Sequence, residues 1–151
     1  MAYITARHVA NTFLDLSFRE NRPIIPLQLQ IMLYHTYKLY FRFTKQVLFT
    51  EPFVACSQGP VLMDIYHALE KETKENTEVT NYLQTLEQDV TMLKLRKYDN
   101  KLSYDIQSIW EICKNKRPSI LLKEVTGENS AWKLTRRERK YFMEPNVIAE
   151  H

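Results

Sequence analysis

Residues 27–43 read LQLQIMLYHTYKLYFRF, and this stretch decides the fold class. Leu29, Leu33 and Tyr37 recur at helical spacing, and a second apolar series that includes Ile31 runs beside them. A helix that is apolar on more than one face is packed by neighbours on several sides. The pattern therefore predicts that residues 27–43 form the central helix of a helical fold.

The composition agrees with a helical fold. The chain has two glycines among 151 residues, well below the average usage of about 7%, and β-rich folds use glycine in their hairpin turns. Hydrophobic residues make up 44% and charged residues 26%, and a chain of this length can bury one core. We therefore predict a compact all-α single domain of six to seven helices over residues 1–151, with a short extended insertion near residues 44–59.

Apolar spacing and capping residues predict the other helices. In chain order they are a first helix capped by Thr5 and ending before Pro23, a third starting at Pro60, a fourth over Val79–Leu93, a fifth capped by Ser103, a sixth over Ile120–Thr126 capped by Ser119, and a basic last helix from near Asn129 or Ser130.

The sequence contains no arrangement that indicates catalysis or a metal site. His8, His35, His67 and the two cysteines lie at least 11 residues apart, whereas zinc ligands on one helix are three or four residues apart. Cys56 and His67 could approach across a turn, but no residue pattern supplies an oriented base or oxyanion donors. We therefore expect no catalytic residue, no metal and no cofactor, and a function that is not enzymatic.

Cysteine usage and hydropathy predict a cytoplasmic protein. There is no CxxC motif and no larger cysteine framework, which is typical of a reduced compartment. The start of the chain lacks the apolar run of a signal peptide. The most apolar region, residues 24–49, is interrupted by charged side chains, so we expect no membrane span.

Residues 121–140 raise the question of nucleic-acid binding. They read as a short helix, a turn at Gly127 and a basic helix, an outline that resembles a helix-turn-helix unit. The candidate contacts to nucleic acid or phosphate are Lys133, Arg136, Arg137, Arg139 and Lys140. Basic runs at helix ends are usually solvated, and the net charge of +3 is small for a dedicated nucleic-acid binder. We favour a solvated face, with a DNA-binding regulator as the alternative.

Three stretches, in order and spacing, resemble the SocA-like Panacea domain family. Residues 25–34 (IPLQLQIMLY) are similar to the family's apolar helix motif, and residues 52–61 (PFVACSQGPV), followed by Ile65-Tyr66, are similar to its Gly-Pro-Val signature. Residues 122–127 (LKEVTG) and 131–133 (AWK) are similar to its "LselTH…pW" segment. The resemblance covers about residues 6–140 and departs from the family at Cys56, Gln58 and Gly127, where the family has tryptophan, tyrosine and histidine.

The resemblance implies an antitoxin-type protein of prophages and mobile elements. Its expected partner is a protein toxin encoded by a neighbouring gene, neutralised by direct contact, and the founding member also acts as a proteolytic adaptor for a AAA+ protease. A phage-encoded anti-defence or host-takeover binding protein is a further alternative, and self-association into a homo-oligomer stays open.

The predicted partner-binding surface consists of Gln58, Gly59 and Pro60, with Tyr66 in the following helix. A glycine–proline corner presents rigid backbone, and tyrosine is a common interface anchor. In the alternative interpretation, Gly59 and Pro60 merely start a helix and Tyr66 packs inside.

Overall fold

The computed structural model describes residues 4–71, 74, 77–85 and 100–151. Within these ranges the chain forms a mostly helical single domain with a short antiparallel hairpin, which confirms the predicted fold class. The seven helices of the described ranges are α1 (Ala6–Arg19), α2 (Pro26–Thr44), α3 (Met63–Glu70), α4 (Asn100–Cys113), α5 (Pro118–Val125), α6 (Ala131–Arg137) and α7 (Pro145–Glu150). The strands are β1 (Phe53–Cys56) and β2 (Gly59–Leu62).

α2 is the central helix, as its sequence pattern predicts. It packs against α1, α4, α5, α7 and β2, and Leu29, Met32 and Leu33 are fully buried. Pro26 begins the helix, where its missing N–H costs no hydrogen bond. None of the described helices combines the length and the apolar character that a membrane span requires. Packing on several sides explains why the apolar residues of α2 are not confined to one stripe.

α1 begins in the cap that Thr5 predicts. The backbone N–H of His8 donates to Thr5 Oγ1, and the backbone N–H of Thr5 donates to His8 Nδ1, both at 3.3 Å. The helix ends at Arg19, and Asn21 then takes a left-handed conformation with φ 52°. Both ends of this helix therefore lie where local sequence places them.

The extended insertion reaches further along the chain than predicted. β1 and β2 pair with Cys56 opposite Gly59 and Ala55 opposite Pro60, so the prediction that Pro60 starts a helix is wrong, and α3 begins at Met63. The N–H of Ala55 donates to the carbonyl of Tyr141, on the side of β1 away from β2. Ala55 and its partner Pro60 are therefore a pair that exchanges no hydrogen bond across the hairpin. Pro60 therefore occupies a position of the ladder where no N–H is needed.

The predicted fourth helix is wrong in the part that the structure describes. Residues 77–85 are non-helical, and the apolar side chains of Val79 and Leu83 are buried. Asn11 of α1 donates to the carbonyl of Leu83 at 2.8 Å and accepts from its N–H at 2.7 Å. A side-chain amide thus supplies hydrogen bonds that a helix would have made. The remainder of the prediction, residues 86–93, lies outside the described residues.

Two predicted helix starts in the second half of the chain are wrong. Ser103 lies inside α4, which already includes Asn100, and therefore does not cap this helix. Arg117, rather than Ser119, is the N-cap residue of α5, because Pro118 occupies the first turn.

The basic helix α6 begins where predicted. The side chain of Ser130 accepts the N–H of Lys133 at 3.1 Å and caps α6. α7 follows after a short extended segment and was not predicted from the sequence. Its Ile148 is fully buried, so the end of the chain contributes to the core beside α2.

Candidate functional site

Three of the four residues predicted for partner binding line one cavity. Gln58, Pro60 and Tyr66 border an apolar groove of about 450 Å³. The same groove is lined by residues from α2, β2, α3, α5 and the segment after α3, namely Pro26, Leu27, Gln30, Ile31, Val61, Leu69, Glu70, Lys74 and Leu122. We call these residues together the hairpin groove.

Gly59 allows Leu122, which lines the hairpin groove, to lie close to the hairpin. It is buried, with φ 128°, a conformation that residues with a Cβ rarely adopt. A Cβ at this position would lie 2.9 Å from Cδ1 of Leu122. Glycine therefore permits both the tight turn formed by Ser57 and Gln58 and the close approach of α5, which brings Leu122 to the groove.

On the edge of β2 that faces the groove, the N–H and C=O of Leu62 are already hydrogen-bonded, and Pro60 has no N–H. Gln30 donates to the carbonyl of Leu62 at 3.1 Å and accepts its N–H at 3.0 Å. Pro60, two residues earlier on the same edge, has no N–H. A second strand would find no N–H donor at either residue, so the groove is not built to receive an added strand.

Tyr66 lies at the surface rather than in the core. Its side chain is 48% exposed, and its ring contacts that of His67 edge to face with 5.5 Å between centroids. The alternative interpretation in which Tyr66 packs inside is therefore wrong. Glu70 and Lys74 add charges of both signs to the lining, so the groove combines an apolar floor with polar groups at α3.

An ion pair fixes the helix that carries Tyr66. Arg7 of α1 donates to both carboxylate oxygens of Asp64, at 2.7 and 2.8 Å. The hydrogen bonds from Arg7 lower the pKa of Asp64. Arg7 also donates to the carbonyl of Gln84 at 2.8 Å. α3 and residues 77–85 are thus held to one side chain of α1.

The basic residues predicted for nucleic-acid contact lie in and after α6, at positions 133–140, which we call the basic segment. Two of its residues contact an aromatic ring, since Lys133 and Arg136 lie 6.0 and 5.4 Å from the ring centre of Trp132. Arg136 also donates to the carbonyl of Ala55 at 2.8 Å, and Trp132 Nε1 donates to that of Cys56 at 2.6 Å. This end of the segment holds β1 in place.

Acidic neighbours neutralise much of the remaining charge of the basic segment. Arg137 pairs with Glu128, and Lys140 lies 3.2 Å from Glu138 and 3.7 Å from Glu144. Arg139 is exposed and takes a left-handed φ of 58° after the end of α6. The five basic side chains are therefore not gathered into one open positive surface.

Cys56 and His67 have separate surroundings. Burial raises the pKa of the Cys56 thiol, although the charge of Arg136 opposes this, and a protonated thiol is a poor nucleophile. His67 is exposed on α3, with Nδ1 3.8 Å from a carboxylate oxygen of Glu70. Among the described residues, no three histidine, cysteine or acidic side chains are grouped as metal ligands.

Comparisons of the chain with protein-family models, with curated proteins and with solved structures each give no significant match. The resemblance to the SocA-like Panacea family, the antitoxin role and the toxin partner therefore stay predictions based on the motifs quoted above.

The sequence analysis missed the part of the groove that other helices contribute. Leu27 and Ile31 belong to the second apolar series of α2, in which Ile31 is buried and Leu27 stays partly exposed. Leu122 follows the buried Leu121 on α5. An excess of apolar residues beyond one buried stripe was the available signal for these positions.

Proposed function

We propose that this chain is a non-enzymatic binding protein of the antitoxin type, which holds a protein toxin through the hairpin groove. The observation that carries the proposal is the convergence of Gln58, Pro60 and Tyr66 on one apolar groove beside α2. The three residues were predicted for partner contact, and they border the same cavity as residues of α2 and α5. An exposed apolar concavity of this kind is typical of a recognition site.

The groove favours a partner that inserts side chains from a helix. Gln30 and Pro60 leave no N–H donor on the edge of β2, so an extended peptide could not gain the hydrogen bonds of a sheet. A helix satisfies its own backbone groups and offers an apolar face at intervals of three or four residues. We therefore expect an amphipathic helix of the toxin to place apolar side chains over Leu27 and Leu122, which are both partly exposed.

Tyr66 and the charged lining residues would orient such a helix. A half-exposed tyrosine at the rim can bury its ring against the partner and keep its hydroxyl in a hydrogen bond. Glu70 and Lys74 both line the groove and provide one acidic and one basic contact. Mixed charge at a rim selects register and orientation more than it adds affinity.

The test is to express the neighbouring gene alone and together with this chain. We expect the neighbour to arrest growth, this chain to relieve the arrest, and the two proteins to co-purify. Delivery to a AAA+ protease, the second mode that the resemblance implies, is distinguished by a lower toxin level that recovers in protease-deficient cells. A harmless neighbour, or relief of arrest without a complex in protease-deficient cells, would contradict the proposal.

Tyr66→Ala locates the contact. We expect affinity for the toxin to fall about 30-fold, as for truncation of an interface anchor, with unchanged thermal unfolding because the side chain is half exposed. Tyr104→Ala is the matched control, since Tyr104 is an exposed tyrosine on α4, outside the groove. Equal losses in both variants would place the binding surface elsewhere.

A further inference from the structure

Residues 141–143 pair with β1 through one antiparallel bridge. The N–H of Ala55 donates to the carbonyl of Tyr141 at 2.8 Å, and the N–H of Met143 donates to the carbonyl of Phe53 at 2.9 Å. Val54 and Phe142 form the bridge between these two bonds. In this antiparallel pattern the N–H and C=O of the central residue, Phe142, point away from β1. Phe142 therefore presents a backbone donor and acceptor on the outer edge of the sheet.

This edge is exposed and aromatic. Phe142 is 57% exposed and Tyr141 is 53% exposed, and their rings contact each other edge to face at 5.0 Å. In the described part of the chain, no hydrogen bond joins the N–H or C=O of Phe142 to another backbone group. Exposed edges with apolar side chains are the positions at which sheets accept another strand.

The sequence of the edge is complementary to itself. Residues 140–144 read KYFME, so an antiparallel copy centred on Phe142 places Lys140 opposite Glu144 and Glu144 opposite Lys140. The side chains of Lys140, Phe142 and Glu144 are all exposed. Met143, between Phe142 and Glu144 in the chain, is buried in the core. Two-fold pairing thus brings two opposite-charge pairs and one aromatic pair together without exposing the core.

We propose that two copies of this chain associate through the edge of residues 140–144, with Phe142 pairing to Phe142 of the second copy. The two residues exchange both N–H···O=C bonds, as directly opposed residues of an antiparallel pair do. Lys140, which within one chain contacts Glu138 and Glu144, pairs across the two-fold axis with Glu144 of the second copy. The edge shares no residue with the hairpin groove, so the proposal stands independently of the antitoxin role.

The expected dimer is weak. A contact of one short strand lies below the roughly 1,200 Å² of the smallest stable interfaces. We therefore expect weak association, with a dissociation constant on the order of 100 µM. Sedimentation velocity of the full chain between about 10 µM and about 1 mM covers this range. We expect the weight-average mass to rise from the monomer towards the dimer over the series.

Charge exchange tests the register. Lys140→Glu and Glu144→Lys each place like charges opposite each other, and we expect about tenfold weaker association in each single variant. The double variant K140E/E144K restores opposite charges at both positions, so its association returns to within about twofold of the original chain. Lys123→Glu, the same charge change at an exposed position of α5, is the matched control and keeps the original association.

Phe142→Ala removes the aromatic pair and also reduces association, while thermal unfolding reports whether the monomer stays folded. A chain that is monomeric at all concentrations overturns the proposal. So does a dimer that is unaffected by the two single exchanges, or one that the double exchange fails to restore.

Discussion

The hairpin groove and the basic segment differ in how the fold uses their residues. The sequence predicts partner contact for Gln58, Gly59, Pro60 and Tyr66, three of which line the groove, and offers nucleic-acid contact by the basic segment as the alternative to a solvated face. The groove gathers residues from α2, β2, α3 and α5 around an open cavity. The basic segment, which is local in sequence, has most of its charges in contact with Trp132, Ala55 or nearby acids.

The difference teaches how far a local pattern can indicate a surface. A cationic side chain finds a carbonyl, a carboxylate or an aromatic ring within reach in almost any folded chain, so a run of charges is easily satisfied internally. An apolar concavity exists only when several elements leave space between them, and no single stretch of sequence encodes it. The following experiments test this contrast, from the largest expected effect to the smallest.

The two glycines provide the strongest comparison. Gly59→Ala forces a side chain into φ 128° and places its Cβ 2.9 Å from Leu122, and we expect the free energy of unfolding to fall by about 3 kcal/mol. Gly127, which precedes the basic segment, has open space around its position, so Gly127→Ala changes stability by less than about 1 kcal/mol. Urea denaturation measures both. Equal effects would mean that Gly59 does not hold the groove together.

Within the basic segment, Arg136 contacts the rest of the fold and Arg139 is exposed to solvent, so their variants can be compared. Arg136→Gln loses the hydrogen bond to Ala55 and the contact with Trp132, and we expect a loss of about 1 kcal/mol in stability. Arg139→Gln, at an exposed position, stays within about 0.5 kcal/mol of the original chain.

A titration with double-stranded DNA completes this comparison. We expect the original chain and both arginine variants to show only weak, salt-sensitive, non-specific binding to DNA. Sequence-selective binding that both variants abolish would instead support the DNA-binding alternative and contradict the structural role of Arg136.

A pH series tests His35, a partly buried histidine of α2, the helix that lines the groove. Burial lowers the pKa of His35, and the charge of Lys38 lowers it further. The unfolded chain therefore takes up a proton at higher pH than the folded chain, and stability falls as pH drops through about 6.5. We expect His35→Gln to reduce the loss in melting temperature between about pH 7.5 and about pH 5.5. A His35→Gln variant that loses as much melting temperature over this range as the original chain would contradict the assignment.

Sequence reasoning succeeded where the deciding interactions are local. Thr5 and Ser130 cap their helices through residues three positions later, and such contacts are specified by a few neighbouring side chains. It failed for residues 79–85, because Val79 and Leu83 satisfy helical spacing and are equally well buried in a non-helical segment. The partner that decides between these outcomes is Asn11, which is distant in sequence.

The sequence by itself determined the helical class, the central place of α2 and three of the residues that line the groove. Apolar periodicity carries this information because the repeat of a helix and the burial of its faces follow from the chain alone. Tertiary structure alone decided that Pro60 lies in a strand, that Leu27 and Leu122 complete the groove, and that residues 141–143 pair with β1. These features depend on hydrogen bonds and contacts between distant segments, which have no periodic signature in the sequence.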